Sequence, residues 1–285
     1  MSASRVRVFE KRALMLTAYG VTHPGKVRPS NEDSMHWDLQ TGLFVVADGM
    51  GGHQAGEVAS RLAIDAVRGF LESSRGDRDL TWPFGFNPSL SFNGNRLVTA
   101  VKLANRRVFD AGEEQPDYAG MGTTIVAAVF CGNRVSIGHI GDSRCYRLRG
   151  EKFEQLTRDH SLLQEQIDSG VLTQEQARFS LNKNLVTRAL GIEAIVPTDI
   201  AEYRIEANDI YLLCSDGLTD MVDPDVIHSI IDEKRSDLAV AAGDLIDLAN
   251  QNGGRDNISV VLVRIPPEFL PASGWAQRWL AKKKG

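Results

Sequence analysis

Apolar runs of five to eight residues alternate along this chain with segments in which apolar residues recur at helical spacing. The helical spacing predicts three amphipathic helices, near residues 58–70, 97–108 and 238–249. No long linker interrupts the alternation from residue 14 to about residue 263, which favours a single domain. The strand candidates along the chain are Leu43–Ala47, Thr123–Phe130, Arg134–Ile140, Arg144–Arg149, Asp209–Ser215 and Ile258–Arg264.

Short glycine-containing turns between these runs predict two β-hairpins. Residues 131–133 join one pair of runs, and residues 149–151 join the next run to Phe153–Leu156. Hairpins in series indicate antiparallel sheets, and the predicted helices come before and after them. We therefore predict an α+β fold, a four-layer α/β/β/α sandwich in which helix pairs flank two antiparallel sheets.

The chain divides into a basic lead-in at 1–13, a domain at 14–265 and a tail at 266–285. Two polar segments inside the domain do not fit the alternation: an insertion loop at about 76–95 and a flap at about 170–188. The flap is the predicted specificity element, because loops over a rigid site often decide access to it. The tail contains two tryptophans and three terminal lysines, and either packs on the domain or contacts a partner or membrane surface.

Composition narrows the possible function classes. Hydrophobic residues make up 42% of the chain and charged residues 24%, as in an ordinary globular protein. A formal net charge of −5 argues against a nucleic-acid-binding face. No run approaches the roughly 18 apolar residues of a membrane span, and no secretory signal is evident, so we expect a cytoplasmic protein. The three cysteines form no CxxC pair and are predicted to be buried hydrophobic residues.

Four aspartates occur where an apolar run meets a turn: Asp48, Asp142, Asp216 and Asp256. A carboxylate at the rim of a buried layer is costly to desolvate, and clustered carboxylates repel one another unless a cation lies between them. Hard oxygen ligands favour Mg²⁺ or Mn²⁺ over zinc or copper. The pattern therefore predicts a metal-dependent enzyme.

Two neighbouring segments add candidate groups. Gly49 follows Asp48, and a glycine there lets the backbone come close to a ligand and expose a carbonyl oxygen. Upstream, Arg28 precedes the adjacent acids Glu32 and Asp33. The planar guanidinium of arginine suits phosphate oxygens, although such a run taken alone is also typical of a solvated loop.

Eight motifs occur in one order along the chain: RPSNEDS, VVADGMGGH, GMGTTIVAAVF, HIGDSRCYRL, LTRDHSL, VTRALG, LLCSDGLTDM and GGRDNISVVLV. The ordered set resembles the metal-dependent (PPM, type 2C) family of protein serine/threonine phosphatases, in particular its compact bacterial members. The resemblance runs from about residue 16 to residue 264. It implies hydrolysis of phosphoserine and phosphothreonine by a water that bridges two Mn²⁺ or Mg²⁺ ions. It also implies a monomer whose partners are phosphorylated proteins and a cognate bacterial Ser/Thr kinase.

The resemblance also implies a role for each candidate residue. A third, weaker ion would lie between Asp142 and Asp216. Asp48 would bridge two metal ions, the Gly49 carbonyl would bind one of them, and Asp216 and Asp256 would bind the other. Glu32 and Asp33 would hold metal-bound water. Arg28 would clamp the phosphate, and Asn257 would support the Asp256 loop.

One position departs from the family pattern. Animal-type relatives place a histidine directly after the Asp-Gly pair, where it protonates the leaving group, and this chain has Met50 there. His53 and His160 are nearby in the motifs, and either is also explained as a loop residue or as support for the site. The general acid therefore stays unassigned.

Two other hypotheses accompany the enzyme. A non-catalytic relative that keeps the fold as a binding module would be expected to lose acids at the site, and here they are present. A phosphatase dedicated to one assembly, such as a secretion system or an anti-sigma pathway, would share the same chemistry.

Overall fold

The computed structural model describes residues 16–52, 55–77, 80–173, 176 and 185–270. Strands in these ranges form two antiparallel sheets, numbered here in chain order. Sheet A has the spatial order β1 (Thr17–His23), β11 (Ile258–Arg264), β10 (Ile210–Cys214), β7 (Arg144–Arg149) and β8 (Lys152–Gln155). Sheet B has the order β2 (Asp33–Asp38), β3 (Leu43–Met50), β5 (Ile125–Cys131), β6 (Arg134–Ile140) and β9 (Asp199–Arg204), with the short β4 (Gly122–Thr123) paired to β3.

Helices cover the outer face of each sheet. On sheet B lie α1 (Ala55–Ser73) and α2 (Phe92–Glu114), whose apolar faces share one buried cluster with β3 and β5. The shorter α3 (Leu162–Asp168) and α4 (Asp216–Thr219) follow strands of sheet A. On the outer face of sheet A lie α5 (Pro224–Glu233) and α6 (Leu238–Gln251). The predicted four-layer α/β/β/α sandwich is confirmed.

Strand β3 shows why the central sheets are apolar on both faces. Successive side chains point to opposite sides of a strand. Val45 belongs to the cluster beneath α1 and α2, whereas its neighbour Phe44 belongs to the cluster between the sheets. There Phe130 makes edge-to-face contacts with Phe44 and with Tyr211 of sheet A, at ring-centroid distances of 5.4 and 5.0 Å. Aromatic side chains thus fasten one sheet to the other.

Several predicted boundaries are wrong. The run Thr123–Phe130 is split at Thr124, where the N–H of Asp48 bonds to the side-chain hydroxyl of Thr124 at 3.0 Å. The predicted insertion loop ends at Ser91, because its hydroxyl accepts the N–H of Gly94 and caps α2.

Burial was expected for all three cysteines and holds for Cys145 and Cys214, whereas Cys131 is exposed at the end of β5.

The described part of the chain closes with a 3-10 turn at Pro267–Phe269, and Phe269 and Leu270 pack against the cluster between the sheets. The segments 1–15, 53–54, 78–79, 174–175, 177–184 and 271–285 lie outside the described residues, so the predicted lead-in and most of the predicted flap and tail have no structural account. No helix among the described residues is both long enough and apolar enough to cross a membrane.

Candidate metal centre

Two acids of sheet B lie opposite each other on paired strands. The register of β2 and β3 places Asp33 directly across from Asp48. The prediction that Asp48 follows the end of its strand is wrong, because β3 continues to Met50. The extension forms because Gly49 pairs with Thr123 and Met50 pairs with Gly122 of β4. Asp48 is therefore held inside a sheet and not in a loop.

Two acids of sheet A approach the same point. Asp216 is the first residue of α4 and follows β10, while Asp256 lies two residues before β11. Between them and sheet B, the hydroxyl of Ser215 donates a hydrogen bond to Oδ2 of Asp33 at 2.8 Å. The residue that follows β10 of sheet A thus directly contacts Asp33 of sheet B.

Asn257 organises the segment that brings Arg28 and Glu32 to the site. Its Oδ1 accepts the N–H of Glu32 at 2.7 Å, and its Nδ2 donates to the carbonyls of Pro24 and Ser30, both at 2.9 Å. The amide therefore ties the start of β11 to residues 24–32, in addition to its position beside Asp256.

These groups surround a cleft of about 320 Å³. Asp33 lies buried beneath it, and His160 is buried beside it without lining it. His53 lies outside the described residues. Met50, where animal-type relatives carry a histidine, is at the wall. The candidate residues that line the cleft are Arg28, Glu32, Asp48, Gly49, Asp142, Asp216, Asp256 and Asn257.

Burial and mutual repulsion raise the pKa values of the acids in this cleft. The pKa of Asp48 is raised well above its usual value by burial and by neighbouring carboxylates, first Asp33 and then Asp216. The pKa of Asp216 is likewise raised well above its usual value by burial and by Asp142. Burial is also the main cause that raises the pKa of Asp33 and of Asp142 to about 6. Without a cation, the charged forms of these acids are unfavourable.

The donor set fits divalent cations. Oδ1 of Asp33 and Oδ1 of Asp216 are buried and have no hydrogen-bond partner among the described residues, which is costly unless another group satisfies them. The converging groups are carboxylate oxygens, supplemented by the Gly49 carbonyl, and these suit Mg²⁺ or Mn²⁺ better than softer metals. Hard divalent ions would satisfy the orphaned oxygens and relieve the repulsion together.

Arg28 stands at the rim of the cleft. Its Nη2 donates to Oδ2 of Asp256 at 2.7 Å, and this hydrogen bond raises the pKa of Arg28. About half of the side chain remains exposed, at 54%, so the guanidinium is accessible to a ligand entering the cleft.

Hydroxyl residues that the sequence interpretation missed complete the frame. Thr123 Oγ1 donates to the carbonyl of Asp48 at 2.8 Å, and Thr124 Oγ1 accepts the N–H of Asp48 at 3.0 Å. Thr124 Oγ1 also contacts Ser143 Oγ at 2.7 Å, next to Asp142. The only sequence signal is their position beside acidic motifs, since a hydroxyl residue next to a strand is otherwise unremarkable.

Comparison with known proteins identifies the family. A family model described as protein phosphatase 2C matches residues 22–242, which is more than half of the chain. The chain belongs to the protein phosphatase 2C family. A serine/threonine phosphatase, stp, from Listeria welshimeri is 38% identical over 250 residues, which cover 85% of this chain and 93% of that protein.

Mycobacterial members of the protein phosphatase 2C family extend the comparison. The serine/threonine protein phosphatase PstP of Mycobacterium tuberculosis is 38% identical over 241 residues. The match covers 85% of this chain but 43% of PstP, so this chain corresponds to less than half of that relative. The crystal structure of the PstP catalytic domain in complex with two manganese ions is 37% identical, with a TM-score of 0.75 over 88% of this chain and 99% of that one.

Proposed function

We propose that this protein is a Mn²⁺- or Mg²⁺-dependent phosphatase that hydrolyses phosphoserine and phosphothreonine in proteins and opposes a bacterial Ser/Thr kinase as a monomer. The observation that carries the proposal is the cluster of buried carboxylates, two of them with orphaned oxygens, beside an accessible arginine in one cleft. Membership of the protein phosphatase 2C family supports the same reaction class.

The acids divide the work of holding cations. Asp48 and the Gly49 carbonyl, with Asp216 and Asp256, would hold two ions, and Asp142 with Asp216 would hold a third, weaker one. Asp33 and Glu32 would orient water around them. When bound, such ions lower the pKa of a shared water and neutralise charge on the phosphoryl oxygens.

Arg28 would position the phosphoryl group. Asp256 holds one nitrogen of its guanidinium at 2.7 Å and thereby orients the side chain at the rim. An arginine donates parallel N–H bonds to phosphate oxygens, which fixes the phosphorus relative to an attacking water. Asp256 thus serves both the ions and the clamp.

The chain's thiols do not compete as nucleophiles. Burial raises the pKa of Cys214 to about 12 and raises that of Cys145 further, so neither forms a thiolate near neutral pH. Cys131 is exposed, but it lies at the opposite end of β5 from Thr124, which lines the cleft. Direct attack by water is therefore the route the residues support.

A phosphothreonine peptide assay tests the function. We expect hydrolysis with Mn²⁺, loss of hydrolysis with chelator, and a loss of at least about 100-fold in kcat for Asp216→Asn, because a required ligand charge is removed and even groups that only orient ligands cost up to this much. Asp244→Asn, the same change at an exposed position of α6, is the matched control and should leave kcat unchanged. Activity that survives both chelation and Asp216→Asn would refute the metal mechanism, and an inactive wild type would favour the non-catalytic binding module.

A further inference from the structure

A second cluster of titratable side chains lies beside the cleft. His139, His160 and Asp199 have potential ligand atoms within 4.8 Å of one another. The two imidazole rings are stacked, with centroids 4.8 Å apart and planes inclined by 15°. Arg188, the last residue of the flap, places Nη1 at 3.4 Å from Nε2 of His160 and 3.5 Å from Oδ1 of Asp199.

The geometry of this cluster argues against a metal site. The N–H of Gly141 donates to Nδ1 of His160 at 3.1 Å, so in the neutral ring the proton is on Nε2, which faces Asp199 at 3.4 Å. A metal on Nε2 would move that proton to Nδ1, against another N–H donor. In addition, nearly parallel rings cannot aim their in-plane lone pairs at one ion, and the guanidinium of Arg188 repels a cation.

His160 instead forms two hydrogen bonds with the turn that carries Asp142. Its own N–H donates to the carbonyl of Gly141 at 2.9 Å, while its Nδ1 accepts the N–H of the same residue. Gly141 has a φ of +101°, and a Cβ there would stand 2.6 Å from Thr124, so this turn has one tightly defined conformation. The next residue, Asp142, lines the cleft together with Asp216.

The same residue also contacts the end of the flap. The carbonyl of His160 accepts the N–H of Thr187 at 2.8 Å, and Leu162 N–H donates to the carbonyl of Leu185 at 2.9 Å. Between these bonds, Ser161 forms a bridge with Val186, which lines the cleft. His160 therefore connects the Asp142 turn to residues 185–187.

We propose that His160 is a positioning residue that acts through Nδ1, holding the Gly141–Asp142 turn so that the Asp142 carboxylate faces Asp216. The proposal rests on the proposed function in that the group so placed is a ligand of the third, weaker ion. His160 has no contact with substrate in this role. Burial, followed by the neighbouring His139, lowers the pKa of His160, which agrees with a neutral ring that accepts at Nδ1.

Two isosteric variants separate the ring nitrogens. Asparagine places Oδ1 near the position of Nδ1 and keeps an acceptor for Gly141, whereas glutamine places its amide near Nε2 and removes that acceptor. In Mn²⁺ titrations by calorimetry, we expect His160→Gln to weaken the weakest ion by about 10-fold or more, as loss of a group that orients a ligand does. His160→Asn should recover most of this affinity, and the Mn²⁺ requirement for peptide hydrolysis should follow the same order.

The Asp142→Asn background provides a second test. There His160→Gln should cause no further loss of Mn²⁺ affinity, because the carboxylate it positions is already gone. An equal loss in both backgrounds, a wild-type isotherm for His160→Gln, or greater damage from asparagine than from glutamine would each overturn the proposal. The isotherms do not depend on turnover, so an inactive wild type would refute the phosphatase and leave this test intact.

Discussion

Gly49 lies where three backbone segments meet. A Cβ at this position would stand 2.0 Å from the carbonyl oxygen of Gly56 and 2.6 Å from that of Glu32. Both are backbone atoms, which cannot rotate away as a flexible side chain can. The absence of a side chain is therefore what allows the start of α1 and the segment before β2 to close around the end of β3.

Gly49→Ala should therefore abolish Mn²⁺-dependent peptide hydrolysis, with a loss of at least about 100-fold in kcat/KM, because a misplacement of about 1 Å at a site has this scale of effect. Gly52→Ala is the matched control, since no atom of the described residues lies within 4 Å of a Cβ built there. Equal activity of the two variants would show that the packing around Gly49 does not position the site.

At the scale of elements, α6 shows how helix starts are determined locally. Asp237 precedes the helix, and its Oδ1 accepts the N–H groups of Ala239 and Val240 at 3.1 and 3.2 Å. Such a cap satisfies donors that have no partner within the helix. The helix packs on the outer face of sheet A, so its stability is separable from the chemistry in the cleft.

Asp237→Ala should lower the free energy of unfolding by about 1 kcal/mol, the usual effect of removing a cap. Asp237→Asn keeps the capping oxygen and should lose much less. Urea unfolding followed by circular dichroism measures both variants, and kcat should be unchanged in each. If alanine and asparagine destabilise equally, the charge of Asp237 and not its hydrogen bonds stabilises the helix.

Central elements could be predicted from the sequence more fully than edge elements. In strands such as β6 and β11 nearly every residue is buried whichever face it points to, and their predicted bounds are confirmed. The edge strands β1 and β2 were missed because their polar and half-buried residues become strands only by pairing. For β1 the partner is β11, more than 200 residues away, which no local pattern reports.

The features of the site likewise divide into those that could be predicted from the sequence and those that could not. The acids stand at the ends of apolar runs and form recognisable motifs, so Asp48 and Asp216 could be proposed from the sequence together with their surroundings. The hydrogen bond from Ser215 to Asp33 and the hydrogen bond from Gly141 to His160 could not be proposed from the sequence. Each depends on the relative placement of segments that only the folded sheets bring together.

At the scale of the whole molecule, the cleft lies where the two sheets meet, and it brings together carboxylates that repel one another. Asp33 and Asp48 come from sheet B, and Asp216 follows a strand of sheet A. In the metal-free protein, the charged forms of these acids oppose folding, because the unfolded chain would hydrate them. Metal binding should therefore stabilise the fold as well as activate it.

The sign of the pH dependence follows from the raised pKa values. Asp33 and Asp142 have folded pKa values of about 6, against an ordinary value of 3.8, so the folded state binds more protons between these limits. Their contribution to stability is present below about pH 4 and is lost as the pH rises through about 6. In chelator, the melting temperature should fall across this window, and Mn²⁺ should reverse or flatten the trend. If the melting temperature changed with pH in the same way with and without Mn²⁺, this account would be contradicted.

The contact of Ser215 with Asp33 has a consequence for fragments of the chain. A piece that ends before β10 retains Asp33, Asp48 and Asp142 but lacks Ser215, Asp216 and Asp256, and the complementary piece holds the reverse. Neither piece contains a complete set of cation ligands, so two separately made fragments should reassemble tightly only when a divalent ion is supplied. The proposed phosphatase activity should therefore require both fragments together with the divalent ion, and neither fragment alone should be active.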